Sequence, residues 1–133
     1  MTEYVSKQVA INKPDYIIYQ SLCSFDNFTP ILKDKVDGWE ATVDSCAFKA
    51  KGLSVRLKMV DKEPSKVIKI GGHEMPFEFF FWIQLKQVAD NDTRMRLTLR
   101  AKLNPMMKMM LGKKMQKGID EIAEQMAASF NSI

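Results

Sequence analysis

Cysteine and histidine are scarce in this chain of 133 residues, which carries two of the first and one of the second. Cys23 and Cys46 are too few for a disulfide framework and form no CxxC pair, so both are read as buried, reduced thiols. His73 stands alone after Gly71-Gly72, and a metal site needs more ligands at short spacing, so no metal is expected. No GxSxG elbow occurs, and Gly71-Gly72 lacks the remaining features of a phosphate loop. No apolar run approaches the roughly 20 residues that span a bilayer, so stable membrane insertion is not expected. Met1-Thr2-Glu3-Tyr4 has neither the basic start nor the apolar run of a signal peptide, and the expected location is cytoplasmic. Linkers, repeats and low-complexity segments are missing too, so residues 1–133 read as one domain.

What is present is an ordinary globular composition, 46% hydrophobic and 27% charged, with a net charge of +4. The mild basic excess permits an anionic partner without requiring one.

Tyr4 to Ile11 alternates and is expected to form a first strand with Val5, Val9 and Ile11 on one face. Lys7 sits among them, so the facing of this strand stays open between Lys7 and the pair Ser6 and Gln8. Asn12 is expected to cap a helix that has Pro14 and Asp15 in its first turn and carries Ile17, Ile18 and Leu22. A second short helix is expected over Ser24 to Leu32 with Phe25, Phe28 and Ile31 as its apolar residues, disturbed at Thr29-Pro30. From Trp39 the hydrophobic period becomes two. Strands are expected at Trp39–Asp44, Cys46–Lys51, Leu53–Asp61, Val67–Ile70, Phe77–Lys86 and Arg94–Leu103, with Gly71-Gly72-His73 as a loop. Short turns between successive strands predict antiparallel hairpins.

Asn104 to Phe130 reads as one long helix. Asn suits the N-cap, and Pro105 suits the first helical position, where no N–H is needed. At about 100° per residue, Met107, Leu111, Met115, Ile119, Ile122, Met126 and Phe130 share one face. Gln116, Asp120 and Glu124 fall with the lysines on the other. The expected fold is therefore α+β: a curved antiparallel sheet of about seven strands, two short helices after the first strand, and a long terminal helix covering the sheet.

This order, with Val9-Ala10-Ile11-Asn12-Lys13-Pro14, Asp26-Asn27-Phe28, the aromatic strand Pro76 to Leu85 and the tail Leu103 to Met110, resembles the helix-grip superfamily. That group includes START lipid-transfer domains, pollen-allergen-like proteins, and the polyketide cyclase/dehydrase and lipid-transport proteins (SRPBCC). The resemblance covers nearly the whole chain and contains no catalytic signature. It implies a sheet wrapped around the C-terminal helix, with a hydrophobic molecule held between them in many members.

Alternation puts Phe48, Leu53, Val55, Leu57, Met59, Ile68, Ile70, Phe77, Phe79, Phe81, Ile83, Met95, Leu97 and Leu99 on the inner face. The ligand-binding candidates are Phe48, Leu57, Met59, Phe79, Phe81, Leu97 and Leu99 on the sheet, and Met107, Leu111, Met115 and Ile119 on the helix. Gly112 and Gly118 leave room on that same helix face or let it touch the sheet. The expected partner is a small hydrophobic or amphipathic ligand, with no cofactor. A cyclase- or dehydratase-type enzyme is the alternative, but it needs an ionisable group among these apolar positions.

Phe80 and Trp82 are expected to point outward, as a homodimer contact or under Arg96 or Arg100. Arg56, Lys58, Lys86, Arg94, Arg96, Arg100 and Lys102 make a basic outer face. Nucleic-acid binding there is a weaker alternative and is not expected. Met106, Met107, Met109 and Met110 ring the start of the last helix. The ring is read as packing against Phe25 to Leu32, as a ligand portal or lid, or as a dimer or membrane contact.

Overall fold

The computed structural model of the protein describes residues 1–50 and 52–133. Eight strands form one antiparallel sheet: β1 (Thr2–Val5), β2 (Val9–Ile11), β3 (Asp37–Ala41), β4 (Ser45–Ala50), β5 (Leu53–Glu63), β6 (Val67–Gly72), β7 (Phe79–Ala89) and β8 (Asp92–Ala101). The sheet runs β1-β8-β7-β6-β5-β4-β3, and β2 pairs with β8 beside β1. Between β2 and β3 lie α1 (Asp15–Leu22), a 3-10 turn (Phe25–Phe28) and the single-turn α2 (Thr29–Leu32). The chain ends in α3 (Pro105–Asn131), and the fold is α+β with an open sheet. Lys51, the expected end of β4, and the Ile31 side chain lie outside the described residues.

The expected first strand is broken in two, for a local reason. The Ser6 hydroxyl accepts from Leu97 N at 2.8 Å, and Ser6 N donates to Leu97 O at 2.8 Å. A side-chain oxygen thus replaces a backbone carbonyl in the ladder. Regular pairing with β8 stops, and the strand resumes with Val9 and Ile11 inward. Val5 therefore faces outward, against expectation, while Tyr4 is buried. Ser6 is buried, and Lys7 and Gln8 are exposed.

Asn12 does not cap α1. The Asp15 N–H is satisfied by Gln87 Oε1 at 2.9 Å, the Asn12 side-chain oxygen accepts instead from Lys13 Nζ at 3.0 Å, and the Asn12 backbone N–H donates to Asn131 Oδ1 at the end of α3. The Thr29-Pro30 disturbance takes the form of a 3-10 turn, after which Pro30 occupies the first turn of α2. Gly71 and Gly72 are not a loop. They extend β6 and pair with Lys58 and Leu57. A Cβ on Gly72 would lie 2.5 Å from the Phe79 ring, and one on Gly71 would lie 2.9 Å from Val60. Both positions let bulky neighbours lie flat across the strand.

The fully buried centre is Ile11, Ile18, Ile68, Met95 and Leu97, where α1 meets β6 and β7. Asn104 caps α3 as expected, its side chain accepting from Met107 N at 2.8 Å. The helix packs mainly on β1, β2 and β8. Its buried stripe is Ile119, Ala123 and Ala127, rotated from the expected row of large residues, and Ile122 is 46% exposed. Close approach to the sheet favours alanine there, so the longest side chains do not mark the contact.

Candidate ligand groove

Strand register carries the inner face across the sheet in rows. One runs Tyr4, Leu99, Phe81, Ile70, Met59. This row faces α3, because a Cβ on Gly112 would lie 3.6 Å from the Tyr4 hydroxyl. The row toward β2 and α1 is Leu97, Ile83, Ile68, and all three are buried. The row on the other side holds Phe79, Gly72 and Leu57, and beyond it lie Phe48 with Val55, then Leu53. Burial falls in that direction: Phe48, Leu57, Met59, Phe79, Phe81 and Leu99 are half-buried, and Leu53 is 48% exposed. Ile70, Cys46 and Ala101 in these rows are nonetheless buried, so the partial exposure falls on the large side chains.

The helix repeats this gradient. Ile119 is buried at 3% exposure, whereas Met115, Leu111 and Met107, successively closer to the helix start, are half-buried. Nine of the eleven candidate residues are thus half-buried apolar side chains, six on the inner sheet face and three on the first half of α3, and this apolar strip is the candidate trough. Leu97 and Ile119 belong to the packed core behind it. A Cβ on Gly118 would meet nothing within 4 Å, so that glycine opens onto free space. The Phe79 ring lies against Gly72 rather than standing up from the sheet.

Two shallow concavities lie elsewhere. One, of about 470 Å³, is bordered by Lys7, Gln116, Asp120, Glu124 and neighbouring charged residues of α3. The other, of about 350 Å³, lies on the outer sheet face around Trp82, Gln84, Arg96 and Arg100. The first belongs to a clamp that sequence reasoning missed. Lys7 N donates to Asp120 Oδ1 at 2.7 Å, Gln116 donates to Val5 O at 2.9 Å, and Lys7 Nζ pairs with Glu124. The bond to Glu124 raises the Lys7 pKa. Gln116 and Asp120 therefore hold α3 to the break between β1 and β2 rather than facing open solvent. A lone-helix projection cannot show this, because it treats every polar position as solvent-facing.

Two hydroxyls near the inner face are engaged. The Ser6 hydroxyl is committed to β8, and Thr93 Oγ1 donates to Lys13 O at 2.7 Å. Thr2 Oγ1 is different: it is buried and has no hydrogen-bond partner among the described residues. Thr2 precedes Tyr4 by two in β1, so it shares the inner side, beside Ala101. Cys46 lies on the same face, and burial pushes its thiol up to about 11, leaving it protonated and unreactive at neutral pH. No group of three His, Cys, Asp or Glu residues is placed to hold a metal among the described residues. His73 lies on the surface, 3.8 Å from Glu74.

Outside the trough, Phe80 and Trp82 face away from α3. Their cover is Lys69, whose ammonium lies 4.5 Å and 5.3 Å from the two ring centroids, rather than Arg96 or Arg100. Arg56, Arg94 and Arg100 on that face are paired with Glu74, Asp92 and Glu3, and Arg96 donates to Gln84. Met106, Met109 and Met110 are exposed, so the expected packing against Phe25 to Leu32 does not cover them.

No family model matches the sequence, and no curated protein is similar to it. Solved structures share the fold. A Thermobifida fusca protein superposes with a TM-score of 0.70 at 11% identity, over 96% of this chain and 91% of that one. One from Thermus thermophilus gives 0.66 at 21% identity, over 98% and 95%. The Aha1 dimer of Colwellia psychrerythraea gives 0.61 at 18% identity, over 92% of each chain. At these identities the likeness is one of fold alone. No helix of the described residues is long and apolar enough to cross a membrane.

Proposed function

We propose that this chain binds, and passes on, a small apolar or amphipathic molecule in the trough between α3 and the inner sheet face, without reacting it. The observation that carries this reading is the burial gradient: Phe48, Leu57, Met59, Phe81 and Met115 are apolar, adjacent to the core, and half-exposed. Large apolar surface left in this state gains free energy when covered. At about 25 cal/mol per Å², burying roughly 300 Å² of ligand contributes about 7 kcal/mol before the costs of ordering. Resemblance to the helix-grip and SRPBCC group supports the same reading, since many of its members hold a hydrophobic molecule in this place. A cyclase- or dehydratase-type reaction finds less support, because Ser6 and Thr93 have their hydroxyls engaged and the trough walls are apolar.

The test is native mass spectrometry of protein purified without added ligand, with titration of a fluorescent fatty acid. Co-purified mass or saturable uptake is expected. A ligand-free spectrum together with no uptake would refute the proposal. A second reading, self-association through Phe80 and Trp82, draws on the dimeric Colwellia protein of similar fold. Trp82→Ala should then change the sedimentation coefficient while leaving probe uptake intact.

A further inference from the structure

The start of α3 is built for a surface that the chain itself does not provide. Met106, Met109 and Met110 are 70%, 88% and 68% exposed. An exposed apolar cluster of this kind is unusual on a monomer and marks a contact site. Its electrostatics select the partner. Lys108, Lys113, Lys114 and Lys117 accompany the cluster, and the first acidic residue of α3 is Asp120. Lys108, Lys113 and Lys114 have no ion pair among the described residues, and Lys117 reaches only Glu121, at 3.9 Å. On the helical wheel Met106, Met110, Lys113 and Lys117 fall within one stripe, on the side away from Ile119 and the sheet. A second copy of this surface would bring lysine against lysine, at a cost in like-charge repulsion. Apolar side chains flanked by lysine instead match an anionic bilayer, whose headgroups attract the ammonium groups while the methionines enter the acyl boundary.

We infer that the first half of α3 docks peripherally on an anionic lipid surface, with Met106, Met109 and Met110 inserted and Lys113, Lys114 and Lys117 on the headgroups. This contact uses residues outside the trough and stands whether or not the trough holds a ligand.

The experiment is flotation with vesicles of phosphatidylcholine alone and of phosphatidylcholine mixed with phosphatidylglycerol. Wild-type protein should float with the mixed vesicles only, and less so as salt rises. Each of Lys113→Gln, Lys114→Gln and Lys117→Gln should weaken binding about fivefold. The triple variant Met106→Gln, Met109→Gln, Met110→Gln should abolish flotation while leaving circular dichroism unchanged, since Gln keeps helix propensity and these side chains are exposed. Absence of wild-type flotation at low salt overturns the inference. Undiminished flotation of the methionine variant overturns insertion, and a dimer lost in that variant with no vesicle binding assigns the cluster to a second copy. Fatty-acid uptake from solution separates this from the trough proposal: uptake without flotation sinks docking alone, and flotation without uptake sinks the trough alone.

Discussion

Gly118→Ala should stabilise the protein, and the size of the gain reports on the space beside α3. Glycine inside a helix costs about 1 kcal/mol relative to alanine. At position 118 nothing lies within 4 Å of the added Cβ, so the full gain is expected. At position 112 the new Cβ would lie 3.6 Å from the Tyr4 hydroxyl, an ordinary van der Waals contact, so Gly112→Ala should gain nearly as much. The two sites are about 9 Å apart along the axis, far enough for additivity, and the double variant should gain about 2 kcal/mol. For a domain of this size that is roughly 8 °C in Tm. Urea melts followed by circular dichroism should show an increased midpoint and an unchanged m-value. A Gly118→Ala variant that melts below wild type would mean that the sheet already touches α3 there. The trough would then be closed at that level. If Ala is accepted, Gly118→Leu should keep the fold and weaken fatty-acid uptake.

The other expectations concern packing and protons. Gly72→Ala should lose stability, because its Cβ would sit 2.5 Å from the Phe79 ring; a melt equal to wild type would place that ring elsewhere. Leu97→Ala, at 0% exposure, should cost roughly 2–5 kcal/mol, and Leu57→Ala on the half-buried floor well below that, as compared by urea denaturation. Iodoacetamide at pH 8 should label Cys23 before Cys46, with mass mapping as the readout. Because the Cys46 thiol titrates at about 11 folded and near 9.0 unfolded, the unfolded chain loses that proton first. Its contribution to stability should fall between these two pH values, and Cys46→Ala should flatten that part of the profile.

Strand periodicity and the cap of α3 were legible because they rest on neighbours in sequence, whereas the Asn12 cap expected for α1 does not form. Asn104-Pro105 begins α3 where it should, and the alternation from Leu53 to Met59 and from Arg94 to Leu99 matches the observed faces. What was not legible depends on partners distant in sequence. The Ser6 hydroxyl breaks the first strand by bonding a residue on β8. Gly71 and Gly72 look like a loop until Phe79 and Val60 are seen lying over them. The α3 stripe turns toward Ala123 and Ala127 because approach distance outweighs side-chain size, and Asp120 is held by the backbone of Lys7. Of the candidate residues, alternation assigned the sheet positions to the inner face, whereas the division between buried Leu97 and half-buried Leu57 required the three-dimensional structure.

Photolabelling with a diazirine-bearing fatty acid, mapped by peptide mass spectrometry, bears most directly on where a ligand sits. Adducts on Met59, Phe81 and Met115, displaced by unlabelled fatty acid, are the expected result. Adducts confined to Met106, Met109 and Met110 or to the outer face at Trp82, or none that compete, would contradict the account.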